Sequence, residues 1–215
     1  MGRRVRGVKD LDKKGVNQTQ CQRCGTCCKK NPPTIHVEDL TYINSGKIPF
    51  THLITFRKGE SAYDNINKKI IYLEEEIIKI KTKNGSSECI YFDNKTNLCT
   101  IYEYRPTECR LLKCWDTDDI LKYYNKNRIK RFDIIPENSA MGEIIKEHEK
   151  KVNLINIKKL YSLYKNTKDL KIKEKLNRII SYDKSVREYI KEKTGAKEEL
   201  NFLFGRDIEV ILRCL

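Results

Sequence analysis

Eight of the chain's nine cysteines fall between Cys21 and Cys114, and four of them crowd into the run Cys21-Gln-Arg-Cys24-Gly-Thr-Cys27-Cys28. The rest stand at Cys89, Cys99, Cys109, Cys114 and Cys214. Thiols scattered through an apolar core do not bunch like this, and an odd number cannot all pair as disulfides. Thiolates are soft ligands for zinc, copper(I) or iron–sulfur clusters, and sets of four meet the tetrahedral demand of those centres. Cys21 and Cys24 have the spacing at which a tight turn aims two sulfurs at one metal. Gly25 then relieves the backbone where it passes close to the site. Neighbouring side chains diverge by about 100° on a helix and point to opposite faces of a strand. One of Cys27 and Cys28 therefore serves a second site, bridges differently, or stays a free thiol beside the metal. On a helix, Cys24 shares a face with both. Eight local cysteines satisfy either two four-thiolate centres or one centre with spares, and the spacing leaves both open.

The 215 residues include 44 Lys+Arg against 30 Asp+Glu, a formal charge of +14, with 34% charged and 39% hydrophobic residues. That is lean but sufficient for a folded core. No window nears 18 uninterrupted apolar residues, so no transmembrane helix and no membrane partner are expected. Residues 1–20 read as a flexible basic tail, with Arg3, Arg4, Arg6, Lys9, Lys13 and Lys14 against two aspartates, and no secretory signal. The expected compartment is the cytoplasm, where thiols stay reduced. The basic surface admits nucleic acid or an acidic protein as a partner, although a solvated lysine-rich surface is the simpler account. Phosphate-cradling glycine loops, the radical-SAM cysteine spacing, the serine elbow and paired histidines on a helix are all missing. His36, His52 and His148 stand alone. Of these, only His36 lies near enough to the early cysteines to be a ligand or proton shuttle, and a core histidine is the commoner outcome. No catalytic residue or substrate is assigned.

The run Cys21-x2-Cys24-Gly25-x-Cys27-Cys28 is followed by Gly85-Ser86-Ser87-Glu88-Cys89, and then by Cys99-Thr-Ile-Tyr-Glu-Tyr-Arg105-Pro106-Thr-Glu-Cys109-Arg110. Together these segments resemble the YkgJ-type cysteine-cluster family (CxxCxxCC), described as a zinc- or iron-chelating domain. The match covers roughly residues 21–114. The resemblance implies metal binding through an iron–sulfur cluster, and similarity of some relatives to flagellin lysine N-methylases implies a protein-modifying activity. Cys114 and Cys214 lie outside the matched pattern, and Lys113-Cys114 stands where many members carry an aromatic-Pro ending.

Metal identity follows from context. A zinc ribbon shows two tidy CxxC pairs, whereas here one cluster is followed by lone cysteines at intervals of ten, ten and five. Irregular, loop-borne ligands suit a larger inorganic body, so with the resemblance included an iron–sulfur cluster, of the [4Fe–4S] kind, is favoured over zinc. The expected ligands are Cys21, Cys24, Cys27, Cys28, Cys89, Cys99 and Cys109, with Cys114 as an eighth. Arg23, Lys29, Lys30, Arg105, Arg110 and Lys113 stand beside them as cations to offset thiolate charge, and Arg105 and Arg110, inside the motif, are the foremost cofactor-binding candidates. Pro106 suits the first turn of a short helix that turns Cys109 and Arg110 to the site. Tyr102 and Tyr104 either shield the cluster or fill the core.

The expected fold is α+β: a small cysteine-ligated metal domain of short strands and loops over 21–142, followed by a helical region over 143–215. Thr34 to Asn44 reads as a short helix. Lys68 to Thr82 reads as two strands joined by an exposed turn at Glu74–Glu76, and Cys89 and Cys99 flank a hairpin. Asp116 to Asn127 reads as a helix. Apolar spacing from Met141 to Lys193 predicts helices broken near Asn166–Asp169 and Tyr182–Asp183, with Gly195 ending the last. The segment from Leu200, with Phe202, Leu203, Phe204, Ile208 and Ile211, is expected to dock into the core.

Overall fold

The computed structural model describes residues 18–64, 67–84 and 86–213. Most of the basic tail, together with Gly85 and Cys214, lies outside the described residues. Short helices and two-stranded antiparallel ribbons make up the described chain to residue 123, and helices of 12, 14 and 25 residues follow, with two short ones after them. This is the α+β arrangement expected from the sequence, with a helical C-terminal region. Among the described residues no helix is long and apolar enough to cross a membrane.

The isoleucine-rich stretch does form two strands, β3 (Lys69–Tyr72) and β4 (Ile77–Ile80), but they do not pair with each other. β3 pairs with β2 (Ser61–Asp64), while β4 pairs with β1 (Leu53–Phe56) in the register Leu53↔Ile80 and Thr55↔Ile78. Burial decides this. Ile77, Ile78 and Ile80 are buried, whereas Ile70 and Tyr72 lie open to solvent, so the two strands belong to different layers. Nor is the intervening turn a merely exposed one. Glu76 reaches inward and accepts from Arg131 Nε at 3.0 Å and from the Arg131 amide at 2.6 Å.

The first core gathers Ile35, Ile48, Leu53, Ile78, Ile80, Phe92 and Ile129 with Ile145, Ile190, Phe202 and Phe204 from the C-terminal helices. Those helices are α5 (Ala140–Lys151), α6 (Leu154–Thr167), α7 (Leu170–Thr194) and α8 (Leu200–Phe204), followed by α9 (Ile208–Arg213). A second core of Val152, Leu154, Ile157, Leu176, Ile208 and Ile211 joins α6, α7 and α9. The expected break near Asn166–Asp169 is present, because Lys168 takes a left-handed C-terminal conformation and Asp169 caps α7. The expected break at Tyr182–Asp183 is absent. Asp183 is buried inside α7, where it accepts from Arg187 Nε at 3.1 Å and meets His148 Nε2 at 2.6 Å. Gly195, at φ 75, ends the helix as expected. Charged side chains also seal α8 to the rest: Arg131 donates to the Leu203 carbonyl at 2.6 Å, and Arg187 to those of Phe204 and Gly205 at 3.2 and 3.1 Å. Buried carbonyls that end a short helix need such donors.

Candidate metal centre

The early cysteines sit on a loop and on α1 (Thr26–Lys30), a single turn opened by Gly25. Gly25 has φ 73, and a Cβ there would fall 2.4 Å from the Phe92 ring. Glycine is required both for the left-handed backbone and for the close approach, so α1 lies flat against Phe92. Phe92 belongs to β5 (Phe92–Asp93), which pairs with β6 (Leu98–Cys99) in the register Phe92↔Cys99. This is the hairpin expected between Cys89 and Cys99, although its paired strands are shorter than the sequence suggests. The two halves of the motif are joined through the main chain. The Cys89 amide donates to the Cys28 carbonyl at 2.8 Å, and the Ser87 hydroxyl donates to the Lys29 carbonyl at 2.7 Å. Cys109 arrives on α3 (Thr107–Leu111).

Cys89 is buried, Cys28, Cys99 and Cys109 are half-buried, and Cys21, Cys24, Cys27 and Cys114 are exposed. Electrostatics link the thiols across these segments. A hydrogen bond from the Cys28 thiol holds Cys27 down to about 6 and drives Cys28 itself upward, helped by burial and by repulsion from Cys109 and Cys99. Burial pushes Cys89 up to about 11, with Cys99 and Cys27 adding to it. Cys109 is pushed well above the ordinary thiol range by burial and by Cys89, Cys99 and Cys27. Cys99 is raised by burial, while Arg105 acts against the rise. Cys27, Cys28, Cys89, Cys99 and Cys109 thus form one electrostatic group, with Cys21 felt by Cys99, and Cys27 felt by Cys24. Cys24 is hydrogen-bonded to Thr26 Oγ1 at 3.3 Å, which lowers its thiol. Cys114 is exposed, with Gln18 Nε2, three residues before Cys21, 3.9 Å from its sulfur. Among the described residues no three or more His, Cys, Asp or Glu side chains are drawn together tightly enough to cage a single ion.

This donor set fits a soft metal. The thiols repel one another's charge and lose solvation together, and a cation reverses both penalties. Around them runs a rim of cations seated on aromatic faces. Tyr102 lies between the Arg105 and Arg23 guanidinium groups, at 3.9 and 4.3 Å from the ring centroid. Lys29 and Lys83 stand over Phe92 at 5.2 and 5.7 Å. Arg110 is on the outer side of α3, donating to the Arg105 carbonyl at 2.7 Å and to Thr107 Oγ1 at 2.6 Å, with its guanidinium over Tyr42. Lys113 is engaged by Asp119.

A second tier, which the spacing of cysteines does not announce, lies behind α3. His36 is fully buried and satisfied: Nδ1 meets the Lys126 carbonyl at 2.6 Å and Nε2 meets Glu108 Oε1 at 3.2 Å. It is a core histidine, as the commoner outcome had it. Asp39, also fully buried, accepts from the Thr107 amide and hydroxyl, each at 2.8 Å. Asp39 also closes a single 3-10 turn by accepting from the His36 amide at 3.1 Å, a contact that no local sequence pattern announces.

A family model described as "CxxCxxCC: Putative zinc- or iron-chelating domain" matches residues 20–167. A curated relative, uncharacterized protein MJ0661 of Methanocaldococcus jannaschii, is 34% identical over 93 residues, which is 42% of this chain and 42% of the relative's own length. No solved structure matches the chain.

Proposed function

Because the chain belongs to the CxxCxxCC family of zinc- or iron-chelating domains, we propose that it carries a redox metal centre held by Cys21, Cys24, Cys27, Cys28, Cys89, Cys99 and Cys109, and that the centre is an iron–sulfur cluster of the [4Fe–4S] kind. The observation that carries the reading is the Cys89-to-Cys28 main-chain bond of 2.8 Å, which brings sulfurs from distant stretches of sequence into one electrostatic group. One feature favours a cluster over a lone zinc ion: the ligand spacing is irregular, unlike the two tidy pairs of a zinc ribbon. When bound, such a cluster stores and passes single electrons. The chain's own part is to offset the thiolate charge with Arg105 beside Cys99 and to keep water from the inner sulfurs with Phe92 and Tyr102.

A second reading, a zinc-stapled module that docks an acidic protein, draws support from the same cationic rim. Nucleic acid is the weaker partner, because the ring faces of Tyr102, Phe92 and Tyr42 are capped by lysine and arginine rather than open to stack bases. Anaerobic purification with iron, zinc and acid-labile sulfide analysis separates the readings. Brown protein with absorbance at roughly 400 nm that bleaches with dithionite supports the cluster. Colourless protein with stoichiometric zinc and no sulfide overturns the cluster in favour of the zinc staple.

A further inference from the structure

We propose that Asp39 and His36 are positioning residues for the metal centre, fixing the helix that carries Cys109 and turning Glu108 away from the sulfurs. The inference rests on the reading of Cys109 as a thiolate ligand.

α3 follows Pro106, which gives it no side-chain cap, so its first amide needs an acceptor from elsewhere. Asp39 is that acceptor. One carboxylate oxygen takes the amide and hydroxyl of Thr107, each at 2.8 Å, while the other takes the His36 amide at 3.1 Å. Arg110 Nη2, one turn along α3, stands 3.5 Å from the same carboxylate. Residue 108 is tied to the same segment: Glu108 Oε2 accepts from the Thr34 amide at 2.7 Å, and Oε1 meets His36 Nε2 at 3.2 Å. The His36 ring is fixed in turn by the Lys126 carbonyl and by Tyr123, whose ring centroid is 4.9 Å away. Both residues that precede Cys109 are therefore anchored to Thr34–Asp39, the segment that leaves Cys27–Cys28 through Pro32 and Pro33.

Two consequences follow. The Cys109 sulfur is delivered in a direction fixed at residues 107 and 108, as outer partners do for metal ligands generally. And a carboxylate next in sequence to a thiolate would bring a hard oxygen donor to a soft site, but Thr34 and His36 hold it, so α3 presents sulfur alone.

Cobalt(II) titration of the full chain tests this, reading thiolate-to-cobalt charge-transfer absorbance per bound cobalt with far-UV circular dichroism alongside. Cys109→Ser should lower the absorbance per cobalt. Asp39→Asn should lower it by a comparable fraction with the helical signal intact, and the double variant should fall no further than Cys109→Ser alone. His36→Gln should give a loss in the same direction, together with a displaced ligand-field band as Glu108 oxygen enters. If Asp39→Asn and His36→Gln both keep the parent absorbance while Cys109→Ser loses it, the positioning role is overturned and the ligand reading stands. If Cys109→Ser loses nothing, the ligand reading fails and the inference falls with it. If Asp39→Asn does not fold, His36→Gln decides alone: folded protein with undiminished absorbance overturns the proposal.

Discussion

Gly25 shows how much rests on one missing carbon. Its left-handed backbone and its contact with Phe92 leave no space for a methyl group, so Gly25→Ala combines a backbone penalty with overpacking. Together these should cost about 2–4 kcal/mol, read as a lowered urea midpoint, and they should lift α1 from β5. A loss below about 0.5 kcal/mol, the size of an ordinary surface change, would mean that the two halves of the motif do not depend on this contact. The sequence singled out Gly25 as a residue where the backbone passes close to the site; the close approach seen is to the Phe92 ring, which no local pattern announces. It did not single out Asp39 or Glu108. Their importance lies in partners 68 and 74 residues away in the chain, and no local pattern encodes such a pairing. His36 was legible as a residue near the site but not as Glu108's partner, for the same reason.

Among the elements, α7 was misjudged most instructively. Asp183 interrupts the apolar spacing and invites a break, but His148 and Arg187 satisfy its carboxylate within the packed helices. Burial alone would raise Asp183, yet the bonds to His148 and Arg187 prevail and hold it at about 2, below its ordinary 3.8. The folded protein therefore gains stability above that ordinary value and loses it as the pH falls from about 4 toward 2, by an amount on the order of 2 kcal/mol. His148 acts in the neighbouring window. Burial outweighs Asp183 and lowers it, so the unfolded chain takes up a proton first, and stability declines as the pH drops below about 6.5. Asp183→Asn, compared with the parent protein by thermal melting from pH 7 to pH 2.5, should melt lower at neutral pH. The gap should then close on acidification. A constant gap across the range would show that the carboxylate charge contributes nothing. β3 and β4 are both visible as strands in the sequence, but the partner each takes depends on Ser61–Asp64 and Leu53–Phe56, which lie before them in the chain.

At the scale of the whole molecule, the two ends of the chain depend on different forces. α5 to α9 rest on apolar cores and buried ion pairs. The cysteine-bearing pieces are slight by comparison: α1 buries no residue, and β5 and β6 pair over two positions each. With the proposed centre in place, metal binding would supply a large share of what orders them. Chelation should raise amide hydrogen exchange across residues 21–30 and 86–113 by roughly tenfold or more, while α5 and α7 keep their protection. Equal loosening everywhere would show that the metal supports the fold as one unit. The helical half was legible because its apolar periodicity is long. The cysteine half was legible only as chemistry, since turns of two to five residues leave too short a pattern to fix geometry.

The main-chain bond between residues 28 and 89 also closes a long interval of chain. The stretch it encloses contains β1 to β4 and much of the first core. A nascent chain that has not yet closed that interval offers only its first four sulfurs. Under the proposed ligand set, the sulfurs of Cys89, Cys99 and Cys109 join the early four only once that interval has closed, so complete metal loading would require the surrounding architecture to be in place.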